Sequence, residues 1–295
     1  MVVLANILLG INQGLTWSST VVMKIDLVGK KERGLAMGLN EFAGYFAVGL
    51  VTYFTAVIAS EYGLRPYPFY LGIVIASAGL IISLLVVKDT RHHVQAEESH
   101  ADVGHAANVF WETTLKDRNL SSTTQAGLIN NLNDGMIWGL LPLLLISYSF
   151  ESRDIGIIAA VYPTVWGIGQ LFTGRLADIY SNKRILFWGM ILQGIAICLF
   201  MSSTEYAYLI TLCGILGLGT ALVYPTFLVV IANNTQPIQR AESIGVFRLW
   251  RDLGYAIGAL LSGLIADIFG LEWAFMAIGV LTLLSALIIQ FRMKE

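Results

Sequence analysis

Residues 9–38, LGINQGLTWSSTVVMKIDLVGKKERGLAMG, return as residues 216–245, LGLGTALVYPTFLVVIANNTQPIQRAESIG. A constant offset of 207 (217 − 10) carries Gly10 onto Gly217, Leu15 onto Leu222, Val22 onto Val229, Arg33 onto Arg240 and Gly38 onto Gly245. The register continues without a gap through Gly63/Gly270 and Gly72/Gly279 to Leu80-Ile81-Ile82 on Leu287-Ile288-Ile289. Shared leucines would mean little in two apolar stretches. Glycines and an arginine kept in phase across three hydrophobic segments indicate that a helical unit is duplicated.

With 56% hydrophobic and 13% charged residues and a mean hydropathy of +0.69, the chain has too little polar surface to cover a water-soluble globule of 295 residues. It belongs in a lipid bilayer. A net charge of −2 offers no footprint for nucleic acid. Cys198 and Cys213 sit in separate apolar segments without metal-ligand spacing and read as small buried hydrophobes.

A spanning helix needs about 20 mostly apolar residues. Nine segments qualify, at approximately 2–23, 34–60, 67–87, 121–148, 154–178, 185–203, 206–231, 243–268 and 271–291. Pro163 and Pro225 lie inside spans, where neighbouring helices can satisfy the freed backbone groups. The joints alternate in charge. Lys24, Lys30, Lys31, Arg33, Lys88, Arg91, Lys116, Arg118, Arg175, Lys183, Arg184, Arg240, Arg292 and Lys294 fall on one side, 14 of 18 basic residues, against Arg65 and Arg153 on the other. The excess of positive charge makes the first side, with the C-terminus, cytoplasmic. Residue 1 matches residue 208, whereas the second unit begins near Ser121, so roughly 87 residues (208 − 121) holding three helices are expected upstream. The expected organisation is residues 1–88 as the second part of a first bundle, 89–120 as a cytoplasmic linker, and 121–295 as a complete second bundle.

Residues 89–120 form the one long polar stretch and carry all four histidines, His92, His93, His100 and His105, beside Glu97, Glu98 and Asp102. Irregular spacing favours a solvated linker over a metal site. An amphipathic helix near Val109–Leu115 would lie on the inner membrane face.

Ionisable groups inside a span are costly unless they are paired or face a cavity. Asp134 shares one helical face with Asn130, Asn133 and Trp138, at i, i+3, i+4 and i+8, and that face is expected to border a wet central path. There Asp134 can carry a proton; the alternative is that it only fastens helices by hydrogen bonds. The first span presents Asn6, Gly10, Gln13 and Trp17, and its repeat partner presents Gly217, Thr220, Tyr224 and Phe227, with Tyr162 and Gln170 contributing from the fifth span. Aromatic rings and neutral hydrogen-bonding groups suit a small amphipathic organic solute. Glu41 and Arg248 are repeat partners. With Arg251 and Asp252 they read as an ion-pair network near the cytoplasmic side, Glu41 pairing with Arg175 and Arg251 with an acid of the upstream loop; direct contact with an anionic substrate is the alternative.

The fifth span ends Gly174-Arg175-Leu176-Ala177-Asp178-Ile179-Tyr180-Ser181-Asn182-Lys183-Arg184. A glycine, an acid four residues on and a basic pair in a short loop resemble the signature of the major facilitator superfamily, in its second copy between helices eight and nine. Ile179 and Ser181 depart from the usual basic residue and glycine. Gln13-Gly14 fit a motif of the family's proton-coupled drug exporters, although Gly10 stands in place of its arginine, and Gly44 and Gly49 lack the proline of the antiporter motif. Overall the chain looks like the arabinose-efflux-like, drug-exporter-like permeases.

The resemblance implies an all-α membrane protein whose nine helices correspond to helices 4–12 of a twelve-helix pseudo-twofold bundle. Parallel duplication of a helical half is how one class of secondary transporters is built. It further implies a monomeric transporter in the plasma (inner) membrane, embedded in lipid, without cofactor or enzyme activity, that exports its solute against protons. Uptake by symport and a non-transporting sensor built around the 89–120 loop are the alternatives. Gly174, Arg175, Asp178, Lys183 and Arg184, with Glu41, Arg248 and Arg251, would form a conformational clasp in which Asp178 caps the helix starting near Gly34.

Overall fold

The computed structural model describes residues 2–29, 31–63, 65–87, 90–98 and 107–295. Among the described residues the chain is helical, and nine helices have 18 or more residues. They are α1 (Val2–Leu27), α2 (Arg33–Tyr62), α3 (Tyr67–Val86), α6 (Arg118–Ser147), α7 (Ser152–Ile179), α8 (Asn182–Leu199), α9 (Tyr206–Asn233), α10 (Arg240–Phe269) and α11 (Leu271–Arg292). Five of the candidate spans are long and apolar enough to cross a membrane by length and composition.

The duplication is legible in the coordinates. Adding 207 to Arg33 and Tyr62 gives 240 and 269, the bounds of α10, so α2 and α10 are both 30 residues long in the same register. Each is closed by a glycine of positive φ, 91° at Gly63 and 101° at Gly270. Only glycine adopts such a backbone without strain, which explains why this residue recurs in both units.

In the linker, α4 (Arg91–Glu98) is a short polar helix, with His92 and His93 exposed. His100 and His105 lie outside the described residues. The amphipathic segment is a single turn, α5 (Val109–Trp111), running on through Glu112–Lys116. Val109 and Thr113 face inward while Trp111 and Leu115 face outward. Asp117 accepts from the backbone N–H groups of Asn119 and Leu120 and so starts α6, three residues before the expected position.

The second bundle is closely packed because glycines bring its helices into backbone contact. α10 crosses α6 at Gly254 and Gly258, where a methyl group would overlap the carbonyls of Leu128 and Leu132. Gly263, one turn further along, has nothing within 4 Å of where its Cβ would lie. Gly258→Ala is therefore expected to lower thermal stability in detergent by about 1–3 kcal/mol. Gly263→Ala should leave the midpoint unchanged or slightly raised, and melting curves of the two variants side by side check the difference.

Candidate functional site

Where the first unit meets the second, α2 and α7 run against each other with no side chain between them at the end that carries the basic loops. A Cβ on Gly174 would stand 2.5 Å from the Gly34 carbonyl oxygen, and Gly38 abuts the backbone of Gln170 and Gly174. This approach brings Asp178 to the start of α2. Its two carboxylate oxygens accept from the backbone N–H groups of Gly34 (2.7 Å) and Leu35 (2.9 Å). Charge-assisted bonds at a helix N-terminus gain from the aligned peptide dipoles as well.

Beside this cap lies a reciprocal pair that motif reading did not find. Arg240, 1% exposed, donates to Asp26 at 2.7 Å, from the second unit to the first. Arg33, also 1% exposed, donates to Asn233 Oδ1 (2.8 Å) and the Ala232 carbonyl (3.3 Å), from the first unit to the second. Asp26 and Asn233 are themselves repeat partners (26 + 207). The signal was therefore in the sequence: an acid and its repeat-related amide, each seven residues before a repeated arginine. Beneath the clasp, Val21, Ile25, Met37, Tyr224, Phe227 and Phe247 from both units form one apolar plug.

On the other side of the plug is a cavity of about 520 Å³. Gln13 and Trp17 of α1, Tyr45 of α2, Asn131, Asp134 and Trp138 of α6, Trp166 of α7, and Arg248, Arg251, Asp252 and Tyr255 of α10 line it. Asp134 is 3% exposed and accepts from the Tyr162 hydroxyl, which lies 3.3 Å from Thr220 Oγ1. Thr220 in turn donates to the Leu216 carbonyl (3.1 Å).

The expected α6 stripe needs correction. Asn133 turns away from the cavity, donating to Gln193 (3.0 Å) and accepting from Thr282 (2.7 Å), and Asn130 is fully buried behind the wall. At about 100° per residue, Asn131, Asp134 and Trp138 (i, i+3, i+7) form the wet stripe, whereas Asn133 is a quarter turn off it. Tyr162, Thr220 and Tyr224 stand behind the wall as its support. Gln170 is buried without exposure on the α7 face that meets Gly38. The Asn6 side chain lies outside the described residues.

The ion pairs also differ from expectation. Glu41 is fully buried and accepts from Asn40 (2.9 Å), which itself accepts from Lys24; Arg251, Arg248 and Lys24 are the basic charges acting on it, not Arg175. Arg175 is exposed, and Arg184 pairs with Glu295 of its own unit (3.3 Å). Arg248 and Arg251 are cavity residues rather than members of the clasp. Arg248 lies over Trp17 (5.6 Å), Arg251 over Tyr224 (4.5 Å), and Asp252 accepts from both, at 3.2 and 3.1 Å. Among the described residues no group of three His, Cys, Asp or Glu side chains could hold a metal ion.

Withdrawing the carboxylate from buried Arg240 should loosen the closed end. We expect Asp26→Asn to cost the closed arrangement about 3–5 kcal/mol and Asn233→Asp to tighten it, since a charged acceptor would replace the amide that Arg33 meets. Spin-label distances between Lys31 and Tyr180, both exposed, should lengthen in the first variant and narrow in the second.

Comparison with known proteins agrees with this architecture. The family profile described as Major Facilitator Superfamily matches residues 1–128 and 123–295. An uncharacterized MFS-type transporter of Methanocaldococcus jannaschii is 24% identical over 82% of this chain and 62% of its own length. The inner membrane transport protein YnfM of Escherichia coli is 26% identical over 50% of this chain and 36% of its own length. For the quinolone resistance protein NorA of Staphylococcus aureus the figures are 25%, 46% and 35%. This chain thus spans less than two thirds of the length of each. The crystal structure of the human organic anion transporter MFSD10 superposes with a TM-score of 0.71 at 19% identity, over 92% of this chain and 67% of that one, a likeness of fold.

Proposed function

The chain belongs to the major facilitator superfamily, and from that premise we propose that it works as a secondary active transporter, moving a small amphipathic organic solute by alternating access. Members of this family are transporters rather than enzymes. Its long helices answer to helices 4–12 of the twelve-helix plan, with residues 1–88 and 121–295 in the two halves and 89–120 between them. The basic end faces the cytoplasm, the membrane is the plasma (inner) membrane, and the working unit is a monomer in lipid. On this reading the clasp and the plug seal the inner side.

The observation that carries the proposal is Asp134, an ionisable side chain in the wall of a cavity between the halves. A hydroxyl has one proton to donate. When Asp134 is ionised, Tyr162 gives its proton to the carboxylate. When Asp134 holds a proton, it donates to Tyr162, whose own proton turns to Thr220, while Thr220 keeps its bond to Leu216. Protonation thus reverses the Asp134–Tyr162 bond and completes a chain that joins α6, α7 and α9. A proton taken up on one side of the membrane and released on the other couples solute movement to the proton gradient. The resistance protein NorA among the relatives favours export as the direction.

Proteoliposomes test this directly. An imposed pH gradient should drive accumulation of a lipophilic organic test solute, and Asp134→Asn should abolish the response to the gradient while leaving the fold intact. Gradient-driven flux that persists in Asp134→Asn would remove the proton role. Tyr162→Phe, which takes away the relay hydroxyl but keeps the ring, should reduce coupled flux by about tenfold or more.

A further inference from the structure

We infer that the transported solute is an aromatic carboxylate, held by its acid group on Arg251 with Arg248 beside it. The inference rests on the transporter reading above and specifies its substrate class.

Two guanidinium groups stand in the cavity wall and donate to the Asp252 carboxylate, which is 49% exposed and offers each of them a single bond, and Arg248 also donates to Ser18 Oγ (3.4 Å). Arg251 itself is 9% exposed. Its Nη1 is engaged by Asp252, and its Nε is buried with no acceptor. The Trp166 Nε1–H, from α7 in the same wall, is likewise buried without an acceptor. Buried donors left without partners are unfavourable, and a small turn of either side chain toward an incoming acceptor would satisfy them. A guanidinium presents its donors in a planar fork that fits a carboxylate, and stacking on the Tyr224 ring at 4.5 Å holds that plane in place. Glu41 lies fully buried outside the cavity lining, one carboxylate oxygen held by Asn40 and the other without a hydrogen-bond partner, and its charge acts on both arginines from behind.

The remainder of the wall is aromatic. Trp17, Tyr45, Trp138, Trp166 and Tyr255 surround the space beside the arginines, where a flat ring system stacks. Asp134 and Asp252 offset the charges of the two arginines, so the discrimination comes from the planar donor fork, which an organic cation or a neutral amide leaves unmatched.

Binding of naphthylacetate, naphthylacetamide and naphthylethylamine, measured by calorimetry on the purified chain in nanodiscs, tests the assignment. The carboxylate should bind about tenfold or more tighter than the amide, with the amine weakest. Arg251→Gln should bring carboxylate and amide to within about twofold of each other. Asp252→Asn replaces the competing carboxylate by a neutral, weaker acceptor at an exposed position and should tighten carboxylate binding, so it decides the matter should Arg251→Gln not fold. Equal affinity for the three probes, no binding by any of them, preference for the amine, or an Asp252→Asn variant without gain overturns the inference. Selective carboxylate binding without flux in proteoliposomes would remove the transport reading and leave the arginines standing as a carboxylate-binding site. Gradient-driven flux of the amine would do the reverse.

Discussion

Two helices can bring their backbones together only where no Cβ stands between them, and Gly34, Gly38 and Gly174 meet that condition at the seam of α2 with α7. Everything at the basic end follows from this approach. It places the Asp178 carboxylate within bonding distance of two N–H groups of the opposite unit. With α2 seated there, Arg33 is close enough to reach Asn233, and the apolar side chains of both units close over one another as a plug. A larger residue in the seam would separate all of these contacts together.

The clasp is polar where a permanent interface would be apolar. Buried ion pairs contribute little net stability, because desolvation offsets most of the attraction, but their geometry is demanding and their loss is costly. Such contacts suit a junction with two arrangements: strong when aligned, and readily replaced by water once separated. The two crossing contacts are not equal, since Arg240 meets a carboxylate and its repeat-related Arg33 meets an amide.

Above the plug, the second bundle surrounds its own polar interior. Asn133, Gln193 and Thr282 satisfy one another between α6, α8 and α11, which fixes the rotation of α6 about its axis. That rotation turns Asp134 and Trp138 toward the cavity. Asn133 fastens three helices, while Asp134 both accepts from Tyr162 of α7 and borders the space between the units. Structural and functional polar groups occupy adjacent positions on one helix, separated only by the helical angle.

Residue pattern by itself determined the membrane class, the duplication and the place of the Gly174–Asp178 loop, since each depends on local chemistry or on spacing along the chain. Apolar runs of spanning length exclude a soluble fold, a constant offset of 207 needs no coordinates, and an acid at a helix end seeks N–H groups wherever it lands. Tertiary structure alone decided which face of α6 is wet and that Arg248 and Arg251 border the cavity, and it showed that the repeated arginines meet Asp26 and Asn233 of the opposite unit, as their shared seven-residue spacing had signalled. Those outcomes depend on the rotation and depth at which helices dock. Both are set by close packing of glycines and side chains from distant segments, which periodicity within a single helix does not encode.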